Sequence, residues 1–291
     1  MKNDLPDPIS FDTALEKFFK YLALCKRSTA TITAYKCDLL QLSKYMNDHC
    51  ITQATTVTTL HLNEFVAHLS SNGYIPKSVS RKLNSIKTFF KFMISEKMMS
   101  QNPADPVIHP KFSVSAPRIL APHEYKSLRD ACRLDIRMSA VIELLLQTGI
   151  RIGELANLKL DDFRKNELFI RPLENNPERT IPLGKNTAAA LQNYLAIRPN
   201  VPEQSFFITK TGHSLLIRNM RASVDRYFRL ANIKNVKVND LRHTFAGYQI
   251  ARGVNPEYLA RVLGHKRDTT VNRYLLFIKP SKDNFNKLVE L

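Results

Sequence analysis

The stretch Asn102–Pro122 reads NPADPVIHPKFSVSAPRILAP, with prolines at 103, 106, 110, 117 and 122. Proline fixes φ and lacks an N–H, so this density blocks a continuous helix and favours an extended connector. Residues 11–100 on one side read as helices only. On the other side helical patterns enclose a pair of short strands. A chain of 291 residues holds two domains of ~100–200 residues each. The boundary falls near 110–117, and the expected division is 1–112 and 113–291.

Upstream of the connector, Phe11–Leu24 places Leu15, Phe18, Phe19 and Leu22 at helical spacing. Thr29–His49 does the same with Ile32, Tyr35, Leu39, Leu42, Tyr45 and Met46. Thr58–Ser70 follows, with Thr58 or Thr59 as N-cap, and Gly73 and Pro76 punctuate the chain. Ser78–Lys97 is a long amphipathic pattern. Val79, Leu83, Ile86, Phe90 and Ile94 share a face, and Arg81, Lys82, Lys87 and Lys91 fall largely elsewhere.

Downstream, helices are expected at His123–Ala131 and Ser139–Gln147, then after a Thr148–Gly149 break through Leu158. Glu167–Ile170 and Arg179–Pro182 read as strands flanking the turn chemistry of residues 174–177. Helices resume at Thr187–Leu195, Ile217–Ala231, Asp240–Arg252, Pro256–Leu263 and Thr269–Phe277, the last with Asp268 or Thr269 as cap. A short tail helix from Lys282 is expected. The fold class is therefore mainly α with a small antiparallel β-sheet: four helices in the first domain, the sheet in the second.

Composition narrows the function. Apolar residues make up 44%, enough for real cores, and 43 basic side chains face 26 acidic ones, a net charge of +17. A pI near 9.8 speaks of partners rather than fold, and a polyanion such as nucleic acid is the simplest. Residues 1–113 hold 14 basic and 9 acidic side chains, and residues 114–291 hold 29 and 17, so the second domain carries most of the excess. No apolar run approaches the ~20 residues that span a bilayer, so no membrane role is expected. The N-terminus lacks a signal-peptide core. Cys25, Cys37, Cys50 and Cys132 form no CxxC pair, which argues against a disulfide scaffold or zinc site and for a reducing cytoplasm. No GxxxxGK[ST] loop suggests ATP. No cofactor and no metal is implied.

Four places carry candidate chemistry. Arg151 sits in LLLQTGIRIGELANLKL, where an always-charged guanidinium needs a partner. Glu154, one turn on, either forms a structural ion pair with it or orients it towards an anion. Arg242 opens a helix in DLRHTFAGYQIARG, where helix N–H groups already favour anions. It is a forked phosphate donor or a surface arginine. His265 follows Leu263–Gly264, and Tyr274 lies nine residues further in LARVLGHKRDTTVNRYLLF. Alone, His265 reads as solvated and Tyr274 as core.

Taken together, Arg, Arg-His, Leu-Gly-His and Tyr in this order resemble the tyrosine recombinases, the lambda-integrase group. TGIRIGELANLKLDD is similar to that family's first arginine motif, ERTIPLG to its strand signature, and LRHTFA and LGH to its second and third boxes. The resemblance covers nearly the whole chain. It implies an N-terminal core-binding (SAM-like) DNA-binding domain and a C-terminal catalytic domain with a tail helix. It also implies a metal- and ATP-independent DNA strand transferase. Arg151 and Arg242 would clamp the phosphorane oxygens, His265 would donate a further hydrogen bond, and Tyr274 would form a covalent 3′-phosphotyrosine.

Two positions depart from the family pattern. The usual His-x-x-Arg box reads Asn239-Asp240-Leu241-Arg242. Asn239 can hydrogen-bond a phosphate oxygen or the tyrosine hydroxyl but cannot hold a proton near neutrality. His243, one residue past Arg242, points ~100° away from it and is not an obvious substitute. The hairpin lysine position falls on or near Glu174, and no lysine lies between Lys165 and Lys185. An active but atypical site is expected.

DNA contacts are expected from Arg81, Lys82, Lys87 and Lys91 in the first domain and from Arg218 and Arg221 in the second. The alternative for the first group is a solvated charged face. The expected partners are double-stranded recombination sites and a homotetramer that synapses two of them, with accessory proteins unknown. Phe285, Leu288 and Leu291 offer an apolar tail face that docks either on a neighbouring protomer or on its own domain. The N-terminal domain starts almost at once, leaving no room for an arm-binding domain. That favours an Xer-like enzyme or a transposon-encoded resolvase, for chromosome dimers or cointegrates. A phage or mobile-element integrase is the runner-up. A type IB topoisomerase-like enzyme and a non-catalytic DNA-binding relative remain as other classes.

Overall fold

The computed structural model describes residues 8–113, 115–173, 176–265, 269–281 and 285–291. It divides into two compact units, Met1–Val114 and Ser115–Leu291.

The described residues of the first unit carry four α-helices, α1 (Phe11–Leu24), α2 (Thr29–Asp48), α3 (Thr59–Ser71) and α4 (Pro76–Ser95). Their starts follow from capping. Ser10 and Ser28 accept the Thr13 and Thr31 N–H groups at 3.3 and 3.2 Å, Thr58 accepts that of His61, and Pro76 opens α4 where its missing N–H costs nothing. Phe11, Ala14, Leu15, Phe18 and Leu22 form the buried stripe of α1. Phe18 packs edge-on against Phe89 at 5.5 Å and against Phe92 at 5.3 Å between ring centroids. Each buried phenyl contributes about 1.5–3 kcal/mol.

The second unit begins with α5 (Pro122–Cys132) and α6 (Ile136–Thr148), then α7 (Ile152–Ala156). A sheet of β1 (Phe163–Arg164), β2 (Glu167–Ile170) and β3 (Arg179–Pro182) follows, and then α8 (Lys185–Ile197), α9 (Ile217–Leu230), α10 (Val238–Ala251), α11 (Pro256–Leu263) and α12 (Thr269–Leu275). The sheet is antiparallel in the order β1-β2-β3, with Leu168 opposite Ile181 and Ile170 opposite Arg179. Helix α6 is central: Met138 and residues 140–148 are all buried, and it packs on α5, α8, α9 and α10. A helix buried around most of its circumference belongs in the middle of a domain, and its interior Glu143 and Gln147 are hydrogen-bonded there.

Several element ends differ from expectation. Asp135 caps α6 by accepting the Met138 N–H at 3.0 Å, which adds a turn before Ser139. The helix expected through Leu158 is only Ile152–Ala156. Helix α10 starts at Val238 because the Asp240 carboxylate accepts the Lys237 N–H at 2.7 Å. The expected tail helix is not found among the described residues. Phe285 instead pairs with Val254 as an isolated bridge, and the Phe285 carbonyl accepts the Asn255 N–H at 3.1 Å. Phe285, Leu288, Val289 and Leu291 pack on the second unit's own core. The capping side chains proposed at 268 and 269, and Glu174, lie outside the described residues. Among the described residues no helix is long and apolar enough to cross a membrane.

Candidate active site

Arg242 lies on α10 with 5% of its surface exposed. Its Nη1 donates to the Gly149 carbonyl at 2.6 Å and its Nη2 to the Leu263 carbonyl at 2.7 Å. These oxygens sit where α6 and α11 end, and helix ends leave carbonyls unpaired. Both helices stop through left-handed glycines, Gly149 (φ 60°) and Gly264 (φ 64°). A Cβ at 149 would stand 2.4 Å from Phe245 Cδ1, and one at 264 would stand 2.8 Å from Arg179 Nη1. Glycine at both places therefore serves the turn and the close approach together.

Arg151 is the N-cap of α7. Its Nη1 donates to Glu154 Oε1 at 2.9 Å and reaches the same Leu263 carbonyl at 3.4 Å. Glu154 is 3% exposed and accepts from three directions. Besides the Arg151 side chain it takes the Arg151 backbone N–H at 2.9 Å and both Arg179 Nη groups at 3.1 and 2.7 Å. Burial alone would raise its carboxyl pKa. The hydrogen bonds and charges of Arg179 and Arg151 outweigh it and hold the pKa below the usual range. Two guanidinium groups thus share one carboxylate, and among the described residues Arg242 has no carboxylate partner. Burial, and next the charge of Arg151, pushes Arg242 down to about 9, so it stays charged at neutral pH.

His265 Nε2 lies 2.9 Å from Arg242 Nη2. A guanidinium only donates, so Nε2 accepts and the imidazole proton sits on Nδ1. That nitrogen is buried and has no hydrogen-bond partner among the described residues. Burial first, then Arg242 and Arg151, push the His265 pKa down to about 3, so the ring is neutral at working pH.

Tyr274, on α12, is 4% exposed. Its hydroxyl lies 2.6 Å from His243 Nδ1, and His243 Nε2 lies 2.8 Å from Asn239 Nδ2. Burial raises the Tyr274 pKa, against the pull of Arg242, Arg273 and Arg151. A cavity of about 400 Å³ is lined by Arg151, Arg221, Asp225, Lys237, Asn239 and Arg242 among others, and Tyr274, His243 and His265 are not part of its lining.

Arg151, Glu154, Arg242 and His265 are brought into one hydrogen-bonded cluster, and Tyr274 stands beside it through His243. Glu154 forms the ion pair with Arg151, at 2.9 Å. Asn239 reaches His243 rather than the tyrosine hydroxyl. Sequence reasoning missed two residues. Arg179 was legible: it shares the inward face of β3 with the buried Ile181, two residues on. His243 was not, because its contact depends on how α12 crosses α10.

The basic residues divide. Lys82 is a correction: it is 8% exposed, and its Nζ donates to Asp38 Oδ1 at 3.0 Å and Gln41 Oε1 at 2.7 Å. It follows Val79 by three positions on the buried stripe, so it neutralises the interior Asp38 instead of facing outward. Arg81 is half exposed and pinned to the same carboxylate. Lys87 reaches the Asp105 carbonyl at 3.3 Å, and Lys91 is exposed. Arg218 and Arg221 are exposed on α9. Among the described residues no cluster of three or more His, Cys, Asp or Glu is set to hold a metal ion.

The fold class is the expected one: an N-terminal four-helix domain, then a catalytic domain of the tyrosine-recombinase type, mainly helical with one small sheet. Residues 118–276 match the phage integrase family, and residues 15–97 match the phage integrase N-terminal SAM-like domain. The first match alone spans more than half of the sequence, and the chain belongs to the phage integrase family. A tyrosine recombinase of Pseudothermotoga lettingae is 29% identical over 285 residues, covering 95% of this chain and 98% of the relative. The tyrosine recombinase XerC of Staphylococcus carnosus is 27% identical over 271 residues, covering 89% and 91%. A lambda integrase tetramer solved bound to a Holliday junction shares the fold, with a TM-score of 0.77 at 17% identity over 97% of this chain and 81% of that one.

Proposed function

We propose that the chain is a site-specific DNA recombinase in which Tyr274 attacks a backbone phosphodiester and forms a covalent 3′-phosphotyrosine. The observation that carries this reading is Arg242: a buried, charged guanidinium held, among the described residues, by two carbonyls and a neutral imidazole. Burying a charge without a counter-charge is costly. Here the cost is borne beside a second guanidinium, Arg151, and beside a buried tyrosine. A phosphodiester entering the cavity supplies the missing negative charge.

The chemistry follows from those groups. As Tyr274 Oη attacks, charge builds on the two non-bridging oxygens, and Arg151 and Arg242 donate to them through paired N–H groups. His265 offers its Nδ1–H, which has no partner among the described residues, as a further donor. Glu154 and Arg179 hold Arg151 and the end of α11 in place. The leaving 5′-oxygen departs, and the phosphotyrosine retains the bond energy. A 5′-hydroxyl from a second strand then attacks it, so rejoining needs no ATP.

The near full-length match to Xer-named relatives favours a role in resolving chromosome dimers or transposon cointegrates. Integration of a phage or other mobile element is the alternative use of the same chemistry. The partners in this reading are two double-stranded recombination sites held by four copies of the chain. Arg81, Lys87 and Lys91 of the first unit and Arg218 and Arg221 of the second contact the DNA backbone. The test is a nicked suicide duplex bearing the flanks of the gene. The native chain should become covalently attached, and Tyr274→Phe should not. If neither traps DNA, the chain is a binding-only relative. If it nicks and reseals unpaired plasmids, the topoisomerase-like class is correct.

A further inference from the structure

We infer that His243, oriented by Asn239, is the group that takes the proton from Tyr274. This inference rests on the recombinase reading above and assigns the proton acceptor that the residue at 239 cannot be. Asn239 and His243 are i and i+4 on α10, so they stack on one face of the helix. That face meets α12, and the Tyr274 hydroxyl is 2.6 Å from His243 Nδ1, a short hydrogen bond. The imidazole is half-buried, and its far nitrogen is 2.8 Å from the Asn239 amide. Nucleophile, base and orienting group are thus in line.

The electrostatics favour the neutral ring. Burial lowers the His243 pKa most; Arg273 on α12 and Arg242 on α10 lower it further, and Asp240 opposes them. A neutral imidazole accepts a proton, and a protonated one does not. Which nitrogen is free depends on the Asn239 amide. With Nδ2 towards Nε2, the ring proton sits on Nδ1 and points at the phenolic oxygen, a state that supports a phenolate. Turning the amide by 180° places Oδ1 on Nε2–H and leaves Nδ1 open to the tyrosine proton.

In cleavage the Oη–P bond forms and the P–O5′ bond breaks. The tyrosine proton moves to His243 Nδ1, and the departing 5′-oxygen takes a proton from water. In rejoining the incoming 5′-hydroxyl forms P–O5′, its proton goes to solvent, the electron pair of Oη–P returns to Tyr274, and His243 returns the proton.

The experiment is single-turnover cleavage of a nicked suicide duplex by the full chain across pH, with an ordinary scissile phosphate and with a 5′-bridging phosphorothiolate. For His243→Asn the cleavage rate near neutrality should fall about 10²-fold or more, with DNA affinity unchanged. The loss should persist on the phosphorothiolate, because a sulfur leaving group needs no proton and the defect lies at the nucleophile. Asn239→Asp should move the rising limb of the pH profile upward, since a carboxylate beside the imidazole favours its charged form. Should His243→Asn fail to bind DNA, His243→Ala with added imidazole makes the same test, and rescue is the expected result. A His243→Asn rate and pH profile like the native one would overturn the inference. So would full recovery on the phosphorothiolate, or no rescue by imidazole. Failure of the native chain itself to attach would instead sink the recombinase reading.

Discussion

Arg151 and Arg242 donate to the same oxygen, the carbonyl of Leu263, at 3.4 and 2.7 Å. That carbonyl fixes the spacing of two guanidinium groups that the sequence places far apart. A lysine at 242 keeps the charge but not the fork, and cannot satisfy Gly149, Leu263 and a phosphate oxygen together. Arg242→Lys should therefore lower covalent trapping by about 10²–10³-fold, the range for losing one such donor. Duplex affinity should change little, because many other phosphate contacts remain. Equal trapping by the lysine variant would show that charge alone suffices.

His265 predicts an acid sensitivity. Its ordinary pKa is 6.5 and burial holds it at about 3 in the folded chain. Between those values the unfolded chain binds a proton that the folded chain refuses, so stability falls as pH drops from about 6.5 towards 3. His243 is shifted in the same direction by its burial and adds to the slope. His265→Asn should flatten, without abolishing, the fall in Tm over that interval. An unchanged slope would mean that the imidazole is solvated and freely protonated.

Lys82 and Lys91 should behave oppositely although they share α4. Removing Lys82 leaves Asp38, itself 1% exposed, with less compensation. Lys82→Met should destabilise the first unit by about 1–3 kcal/mol, read as a lower denaturant midpoint. Lys91→Ala should leave the midpoint alone and reduce the salt slope of DNA binding by about one counterion. A Lys82→Met chain of native stability would contradict the interior assignment.

These contrasts mark what the sequence carries. Helical periodicity, capping serines and the proline-rich connector depend on neighbours in the chain, so the elements and the two-domain plan were legible. The grouping of Arg151, Arg242, His265 and Tyr274 was legible through motif order, and the Arg151–Glu154 pair through its spacing. Lys82 was misplaced because a long side chain at the edge of an apolar stripe turns inward only if a carboxylate from another helix waits there. Asp38 supplies it from α2, and nothing local announces that. His243 was set aside on its angle to Arg242, which was correct geometry applied to the wrong partner: it faces Tyr274, not the phosphate clamp. A tail helix from Lys282 was expected, but two glutamines hold the backbone of Val289 and Leu291.

Those glutamines make the last prediction. Gln249 Nε2 donates to the Val289 carbonyl at 2.7 Å and its Oε1 accepts the Val289 N–H at 2.9 Å. Gln147 does the same for Leu291, at 3.0 Å in both directions. Such paired bonds are satisfied equally well by the same segment of another copy, which is the energetic condition for exchange between protomers. Deleting residues 280–291 should lower Tm, since it strips Phe285 and Leu288 from the core of the second unit. It should also weaken cooperative assembly on paired sites more than attachment to a single site, measured by gel shift and by trapping on the same DNA. If stability falls while paired-site assembly is unchanged, the tail serves only its own domain and the active sites must be coupled through other surfaces.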